Sequence, residues 1–160
     1  MLEEQVLDVS LHDRAAFHCG VPALDEYLHK YAAQQSAKGI GTVFVLVDDA
    51  APSKLLGFYT LSAAQVGVQQ LSDAERKKKP RYPVPCFRMG RIARTLESRG
   101  AGLGEVLLGC AVDRCLHART LVGAYALLVD AKDENAKSFY ERYGFISLAD
   151  TPMTLYTPLG

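Results

Sequence analysis

The sequence predicts a mixed α/β protein, of α+β character, organised on one central sheet. Three observations point there. The first half carries strand-like runs separated by turn residues. A glycine-rich turn past mid-chain leads from an extended run into an amphipathic helix. A second, capped helix is followed by two short strands. The resulting order is a β-meander, then strand–loop–helix–strand, then helix–strand–strand. A chain of 160 residues fits one compact domain spanning residues 1–160, and at that size folding buries about 70% of the extended chain's surface. Apolar residues make up 49%, yet no apolar run approaches the ~20 residues of a membrane span. The acidic opening Met1-Leu2-Glu3-Glu4 lacks the basic-then-apolar order of a secretory signal. A cytoplasmic location is expected.

Leu2 to Leu11 alternates loosely and reads as the first strand. Val21 to Lys38 spaces Leu24, Leu28, Tyr31 and Ala32 as a helix does; Asp25 and Glu26 near its start suit the helix dipole, and Gly39 suits termination. Thr42 to Val47 is dense in β-branched residues, Asp48 to Ser53 supplies a turn, and Leu55 to Leu61 returns as the second arm of a hairpin. Ser72 to Pro85 is a polar, proline-punctuated connector with no predicted element. Cys86 to Ala93 is extended. After the turn Arg99 to Gly104, the residues Leu103, Val106, Leu107, Cys110 and Ala111 mark a helix running to about Arg119. Tyr125 to Val129 reads as a buried strand. Asp133 is a candidate N-cap for a helix closing at Gly144, a candidate left-handed residue. Phe145 to Leu148 and Met153 to Thr157 are the last strands.

Four cysteines (Cys19, Cys86, Cys110, Cys115) form no C-x-x-C pair and have no histidine at zinc-ligand spacing, so no metal is expected. Net charge is zero, but Arg76, Lys77, Lys78, Lys79, Arg81, Arg88, Arg91 and Arg94 fall in one stretch without an acid. Such a field attracts phosphate-rich partners, although a charge run also serves as an ordinary solvated loop.

The turn Arg99-Gly100-Ala101-Gly102-Leu103-Gly104 carries the most chemistry. Glycines let backbone approach a ligand closely, and a helix start has unpaired N–H groups and partial positive charge. The two together bind phosphate oxygens. Two familiar phosphate turns fail on residues. The dinucleotide pattern needs G-x-G-x-x-G in a first βα unit, and the nucleotide-triphosphate loop needs G-K-[ST], where Glu105 follows Gly104 here.

What remains is R-x-x-G-x-G (Arg99, Gly102, Gly104). It resembles the coenzyme A loop of the GNAT N-acetyltransferase superfamily, and Asn135-Ala136 with Ser138-Phe139-Tyr140-Glu141-Arg142-Tyr143-Gly144-Phe145 resembles that superfamily's A-x-x-F-Y-x-x-x-G-F ending. The resemblance implies the GNAT fold: a central, mostly antiparallel, twisted sheet, splayed at the acyl-CoA site, with helices on both faces. It implies acetyl-CoA as co-substrate. Backbone of Ile92, Ala93 and Arg94 would meet the pantetheine arm. Arg99, Gly100, Ala101, Gly102, Leu103 and Gly104 would hold the pyrophosphate, with Asn135 and Phe139 also at the cofactor and Tyr140 as proton donor to the departing sulfur. A phenol near pKa ~10 stays protonated at neutral pH.

Four stretches further resemble the toxin branch of that superfamily, the TacT/AtaT type of type II toxin–antitoxin systems. They are Phe17-His18-Cys19-Gly20 with Leu24-Asp25-Glu26-Tyr27-Leu28; Gln34-Gln35 leading into Gly41-Thr42-Val43-Phe44-Val45; Gly57-Phe58-Tyr59-Thr60-Leu61-Ser62; and Pro80-Arg81-Tyr82-Pro83-Val84-Pro85 before Gly90-Arg91-Ile92-Ala93. That branch acetylates the amino group of aminoacyl-tRNA and blocks translation. An α-amine near pKa ~7.7 needs little help from a base, whereas a lysine near ~10.4 would want a carboxylate; the run Phe44 to Leu61 offers only Asp48 and Asp49, both in the turn, and Cys86 to Arg94 offers arginines instead. The resemblance therefore implies aminoacyl-tRNA as substrate, tRNA contacts by Lys77, Lys78, Lys79, Arg81, Arg88 and Arg91, a ribbon-helix-helix antitoxin, and a homodimer. Arg94-Thr95 departs from the branch, which has Val-Asp there. Acetylation of a small amine or protein N-terminus, and acyl-CoA binding without catalysis, stay open at this point.

Overall fold

The computed structural model describes every residue except Lys78, Pro80, Arg81, Tyr82 and Arg99. Its strands are β1 (Leu2–Val6), β2 (Thr42–Asp48), β3 (Gly57–Val66), β4 (Val84–Arg94), β5 (Ala126–Asp130), β6 (Ile146–Ser147) and β7 (Thr154–Pro158). Its helices are α1 (Pro22–Glu26), α2 (Ala32–Ala37), α3 (Asp73–Arg76), α4 (Leu103–Ala118) and α5 (Glu134–Arg142). The sheet has the order β1-β2-β3-β4-β5-β7-β6. β1 pairs antiparallel with β2, β2 with β3, β5 with β7 and β6 with β7, whereas β4 and β5 run parallel. The chain divides into two compact units: Met1–Ser62 with Gly90–Ala111, and Ala63–Met89 with Val112–Gly160.

In the first unit, β2 pairs with β3 so that Val45 faces Phe58 and Leu46 faces Gly57. Directly opposed residues share a face. Val43, Val45, Val47 and Phe58 pack with Phe17, Tyr27, Leu28 and Ala32, so the segment containing α1 and α2 covers one face. On the other, a Cβ at Gly57 would lie 2.7 Å from Leu107 Cδ1 and 2.9 Å from the Ala93 carbonyl oxygen. Only glycine allows α4 that close. Both faces of this unit thus carry helix, as expected.

In the second unit, the parallel ladder runs from Cys86↔Ala126 to Met89↔Val129. β5 then pairs with β7, and β7 with β6. Val66, Leu71, Val84, Cys86, Ala126, Leu128, Leu148 and Tyr156 form its core.

Three expectations need correction. The first strand stops at Val6, because Asp8 begins a turn: its carboxylate accepts the Ser10 N–H (2.9 Å) and hydroxyl (2.6 Å), and its carbonyl accepts from Leu11 and His12. The helix from Val21 is not continuous α-helix. Over Tyr27–Tyr31 it widens to a π-turn, with the Ala32 N–H reaching the Tyr27 carbonyl. Tyr31 is 45% exposed while Ala32 is fully buried, against the regular spacing. Finally, the connector is not featureless. Ser72 caps α3 through its hydroxyl, and the Tyr125 hydroxyl donates to Glu75. Its order comes from the local Ser72 cap together with this distant partner.

Candidate active site

The turn before α4 keeps the geometry its glycines suggest. Gly100 and Gly102 have φ of +86° and +75°, where a side chain is strained. Nothing lies within 4 Å of a Cβ built at either, so the turn is open rather than plugged. Among the described residues, the N–H groups of Gly102, Leu103, Gly104 and Glu105 reach no backbone or side-chain acceptor. These are the unpaired donors of a helix start, and they sit at its positive pole. Ala101 is a correction. Its N–H closes on the Ser98 carbonyl at 3.0 Å and so is not offered to a ligand. Arg99 lies outside the described residues.

The loop feeding this turn is tied down within the same unit. Thr95 is buried, and its N–H reaches the Leu56 carbonyl at 2.8 Å. The Leu96 N–H reaches His18 at 3.0 Å, and a Cβ at Gly20 would come within 3.0 Å of Leu96 Cδ2. The block Phe17 to Leu28 is thereby explained as architecture. Asp25 accepts the Cys19 N–H at 2.8 Å, His29 bonds the Phe17 carbonyl at 2.7 Å, and the rings of Phe17 and Tyr27 lie against Phe58.

In the second unit, Asp133 caps α5 as expected, accepting the Ala136 N–H at 2.8 Å. Asn135 is exposed in the helix's first turn and Phe139 is half-buried. At the other end, Gly144 takes φ +89°. The Phe145 N–H bonds the Tyr140 carbonyl at 3.2 Å, and the Gly144 N–H bonds Glu141 at 3.1 Å. These are the two hydrogen bonds of a Schellman closure, and its usual apolar contact is the Tyr140–Phe145 ring pair at 5.6 Å. The Y-x-x-x-G-F spacing therefore has a mechanical meaning: Gly144 and Phe145 fix the backbone and ring of Tyr140. That ring is 4% exposed. Burial, and secondarily the Asp130 charge, push its pKa up to about 12. The phenol is a proton holder at any physiological pH.

Asp130 was not anticipated from sequence. It stands at the carboxyl end of β5, where it pairs with Arg88 and accepts the Thr154 hydroxyl at 2.9 Å. An acid ending a buried strand was the available signal. Its ties to Arg88 and Thr154 make it a poor free base.

The basic run sorts itself. Arg76 pairs with Asp73 and Arg88 with Asp130. Lys79 lies 3.8 Å from Glu75 and 4.2 Å from the centre of the Tyr125 ring. Arg91 lies 3.7 Å over the Tyr27 ring. Lys77 is exposed, Arg94 is half-buried, and Ile92 and Ala93 lie beside it in β4. Lys78 and Arg81 lie outside the described residues. No group of three metal-ligating side chains occurs among the described residues, and no described helix is long and apolar enough to cross a membrane.

No family model matches the sequence. A tRNA-acetylating toxin of Mycobacterium tuberculosis (strain ATCC 25618 / H37Rv) is 33% identical over 143 residues, covering 89% of this chain and 84% of the relative. The chain belongs to the TacT/AtaT-type family of GNAT toxins. A probable toxin TacT of Sinorhizobium fredii (strain NBRC 101917 / NGR234) is 27% identical, covering 96% of this chain and 88% of the relative. Among solved structures, a tyrosine-to-phenylalanine mutant of KacT superimposes with TM-score 0.91 at 32% identity, over 99% of this chain and 95% of KacT. AtaT complexed with acetyl-methionyl-tRNAfMet gives 0.92 at 28%, over 99% and 95%. AtaTR bound with acetyl-CoA gives 0.85 at 30%, over 99% and 94%. The GNAT toxin fold holds over the chain's length.

Proposed function

We propose that this GNAT toxin transfers the acetyl group of acetyl-CoA to the α-amino group of an aminoacyl-tRNA, and so arrests translation in the cytoplasm. Residues 1–160 act in this as one GNAT domain. The observation that carries the reading is the open glycine turn before α4, with four successive N–H groups unclaimed among the described residues. AtaT, a relative in structure, has been solved both with acetyl-CoA and with acetylated methionyl-tRNA.

Each residue then has a physical task. The N–H groups of Gly102 to Glu105 hold the pyrophosphate, and Gly100 bends the chain into place, with Arg99 adding charge. Backbone groups of Ile92, Ala93 and Arg94 pair with the pantetheine amides, as an added strand would. Asn135 and Phe139 complete the contacts on α5. Tyr140 donates a hydrogen bond to the thioester sulfur. A phenol near 12 does not give its proton outright to a thiolate of pKa ~8.5. The proton reaches sulfur as the attacking nitrogen, now an ammonium, releases its own. The N–C bond forms, the C–S bond breaks, and one proton passes in net from amine to thiol. Tyr140 thus acts as donor and relay, not as an acid that ends ionised.

Of the cations, Lys77, Lys78, Arg81 and Arg91 supply tRNA contacts; Lys79 and Arg88 are neutralised by Glu75 and Asp130 and contribute less. An antitoxin restrains the enzyme, of ribbon-helix-helix type, and the working form is a homodimer. The test is incubation of purified protein with labelled acetyl-CoA and total charged tRNA. Label in N-acetyl-aminoacyl-tRNA is expected. Label only on small amines, or none, would overturn the proposal.

A further inference from the structure

The first unit also holds a cavity of about 240 Å³ that has no part in the chemistry above. Its lining includes Asp13, Phe17, Lys54, Leu55, Thr95 and Glu97. Backbone bonds fix its frame: the Asp13 N–H reaches the Ser53 carbonyl at 2.8 Å, and the Thr95 N–H reaches Leu56 at 2.8 Å. Phe17 and Leu55 are buried and give it an apolar floor. At the rim, Lys54 pairs with Glu97 at 2.7 Å. The Asp13 carboxylate accepts the Ala16 N–H at 3.3 Å, and no cation pairs with it among the described residues. One negative charge is left over.

Thr95 gives an independent sign of a ligand. It is 6% exposed, and its N–H and carbonyl are bonded to Leu56 and Ser98. Its hydroxyl meets no donor or acceptor among the described residues. Yet no fully buried side-chain oxygen among them lacks a partner. The hydroxyl therefore reaches accessible space, and at Thr95 that space is this cavity. Where the toxin branch has aspartate, this chain sets a neutral hydroxyl in a cavity wall. The volume is the share of about eight liquid waters at ~30 Å³ each. That is room for a small organic molecule and not for a chain segment.

We propose that this cavity is a second ligand site, which takes a small protonated amino alcohol. Its ammonium meets Asp13, its hydroxyl meets Thr95, and its carbons lie on Phe17 and Leu55, the usual division between apolar lining and a few orienting polar groups. Thr95 and Glu97 open the segment that ends in the turn at 100–104. A ligand held across 13–17, 53–55 and 95–97 restrains that segment. Occupancy therefore raises acetyl-CoA affinity, and acetyl-CoA raises amine affinity by the same factor. This coupling rests on the reading of the turn as the cofactor cradle; the site itself does not.

The probe is N,N-dimethylaminoethanol, whose tertiary ammonium keeps one N–H and cannot be acetylated on nitrogen. Its neutral isostere, 3-methylbutan-1-ol, is the control. Titration followed by amide NMR should shift Ala16, Lys54 and Thr95 with a Kd on the order of millimolar, the reach of so small a ligand. The alcohol should bind about tenfold more weakly, and so should the amine in Asp13→Asn. Thr95→Val should weaken the amine about threefold, with dispersed spectra showing both variants folded. Asp73→Asn, far along the chain in α3, should leave binding unchanged. Saturating amine should lower the Kd for acetyl-CoA about fivefold, the low end of coupling between sites. No shift at these amides, shifts that persist in both folded variants, or equal binding of the alcohol would overturn the site. Bound amine with unchanged acetyl-CoA affinity would overturn the coupling. A protein that takes the amine but binds no acetyl-CoA would sink the cofactor reading and leave this site standing.

Discussion

Gly144→Ala tests whether the helix closure, rather than the tyrosine alone, sets the chemistry. Gly144 sits at φ +89° with nothing within 4 Å of an added Cβ. The substitution therefore causes no clash, and its whole cost is the left-handed backbone, about 1–2 kcal/mol for an L-residue. For a chain of this length that lowers Tm by roughly 2–8 °C, at ~2–4 °C per kcal/mol. The strain falls where the Phe145 N–H meets the Tyr140 carbonyl at 3.2 Å. Loosening that bond frees the Tyr140 ring against Phe145, so kcat should fall several-fold while KM for acetyl-CoA stays put. Gly144→Asn is the control, because asparagine tolerates this region better. It should recover most of both Tm and kcat. Differential scanning calorimetry and steady-state acetylation are sufficient assays. A Gly144→Ala protein with wild-type Tm and kcat would refute the argument that the closure positions Tyr140.

Three other outcomes are expected. Tyr140→Phe should lower kcat by about 10²–10⁴; because burial lifts the wild-type phenol to about 12, wild-type activity on an amide-linked aminoacyl minihelix should rise with deprotonation of the amine and hold level to about pH 10. A descending limb near pH 8–9 that vanishes in the variant would contradict this. Gly102→Ala places an L-residue at φ +75° in an open turn, so isothermal titration should show acetyl-CoA affinity down by about tenfold, from a backbone cost of ~1–2 kcal/mol, with the tRNA salt slope untouched. His12 is 4% exposed; its Nδ1 accepts the Asp8 N–H and its Nε2 bonds Gln5, which fixes a neutral ring. Burial lowers its pKa against the opposing pull of Asp8, so the unfolded chain takes up the proton first as pH falls below ~6.5. Urea midpoints should drop between pH 7 and the lower native pKa, and His12→Gln should show a shallower drop.

What could be read from the sequence was whatever local chemistry dictates. Asp133 and Gly144 bracket α5 as a cap and a left-handed residue must, and the glycines of 100–104 fell at the start of α4. The first strand, by contrast, was overextended because loose alternation continues through residues 7–11, while Asp8 turns the backbone with its own carboxylate. The connector after Ser72 hides one local signal, the Ser72 hydroxyl capping the Glu75 N–H three residues on, but the rest of its order depends on Tyr125 and Tyr156, some 50 and 84 residues away. No window along the chain contains those two partners. The basic run shows the same limit at the level of function. Eight cations without an acid between them suggested a continuous phosphate-binding surface, yet Asp73 and Glu75, just ahead of the run, and Asp130, far along the chain, neutralise three of them. What the fold adds is a selection among like residues. Arg88 and Arg91 are both half-buried arginines of β4, three residues apart. One lies against a carboxylate and the other against an aromatic face, and that difference in partner separates a structural ion pair from a cation still able to receive a phosphate.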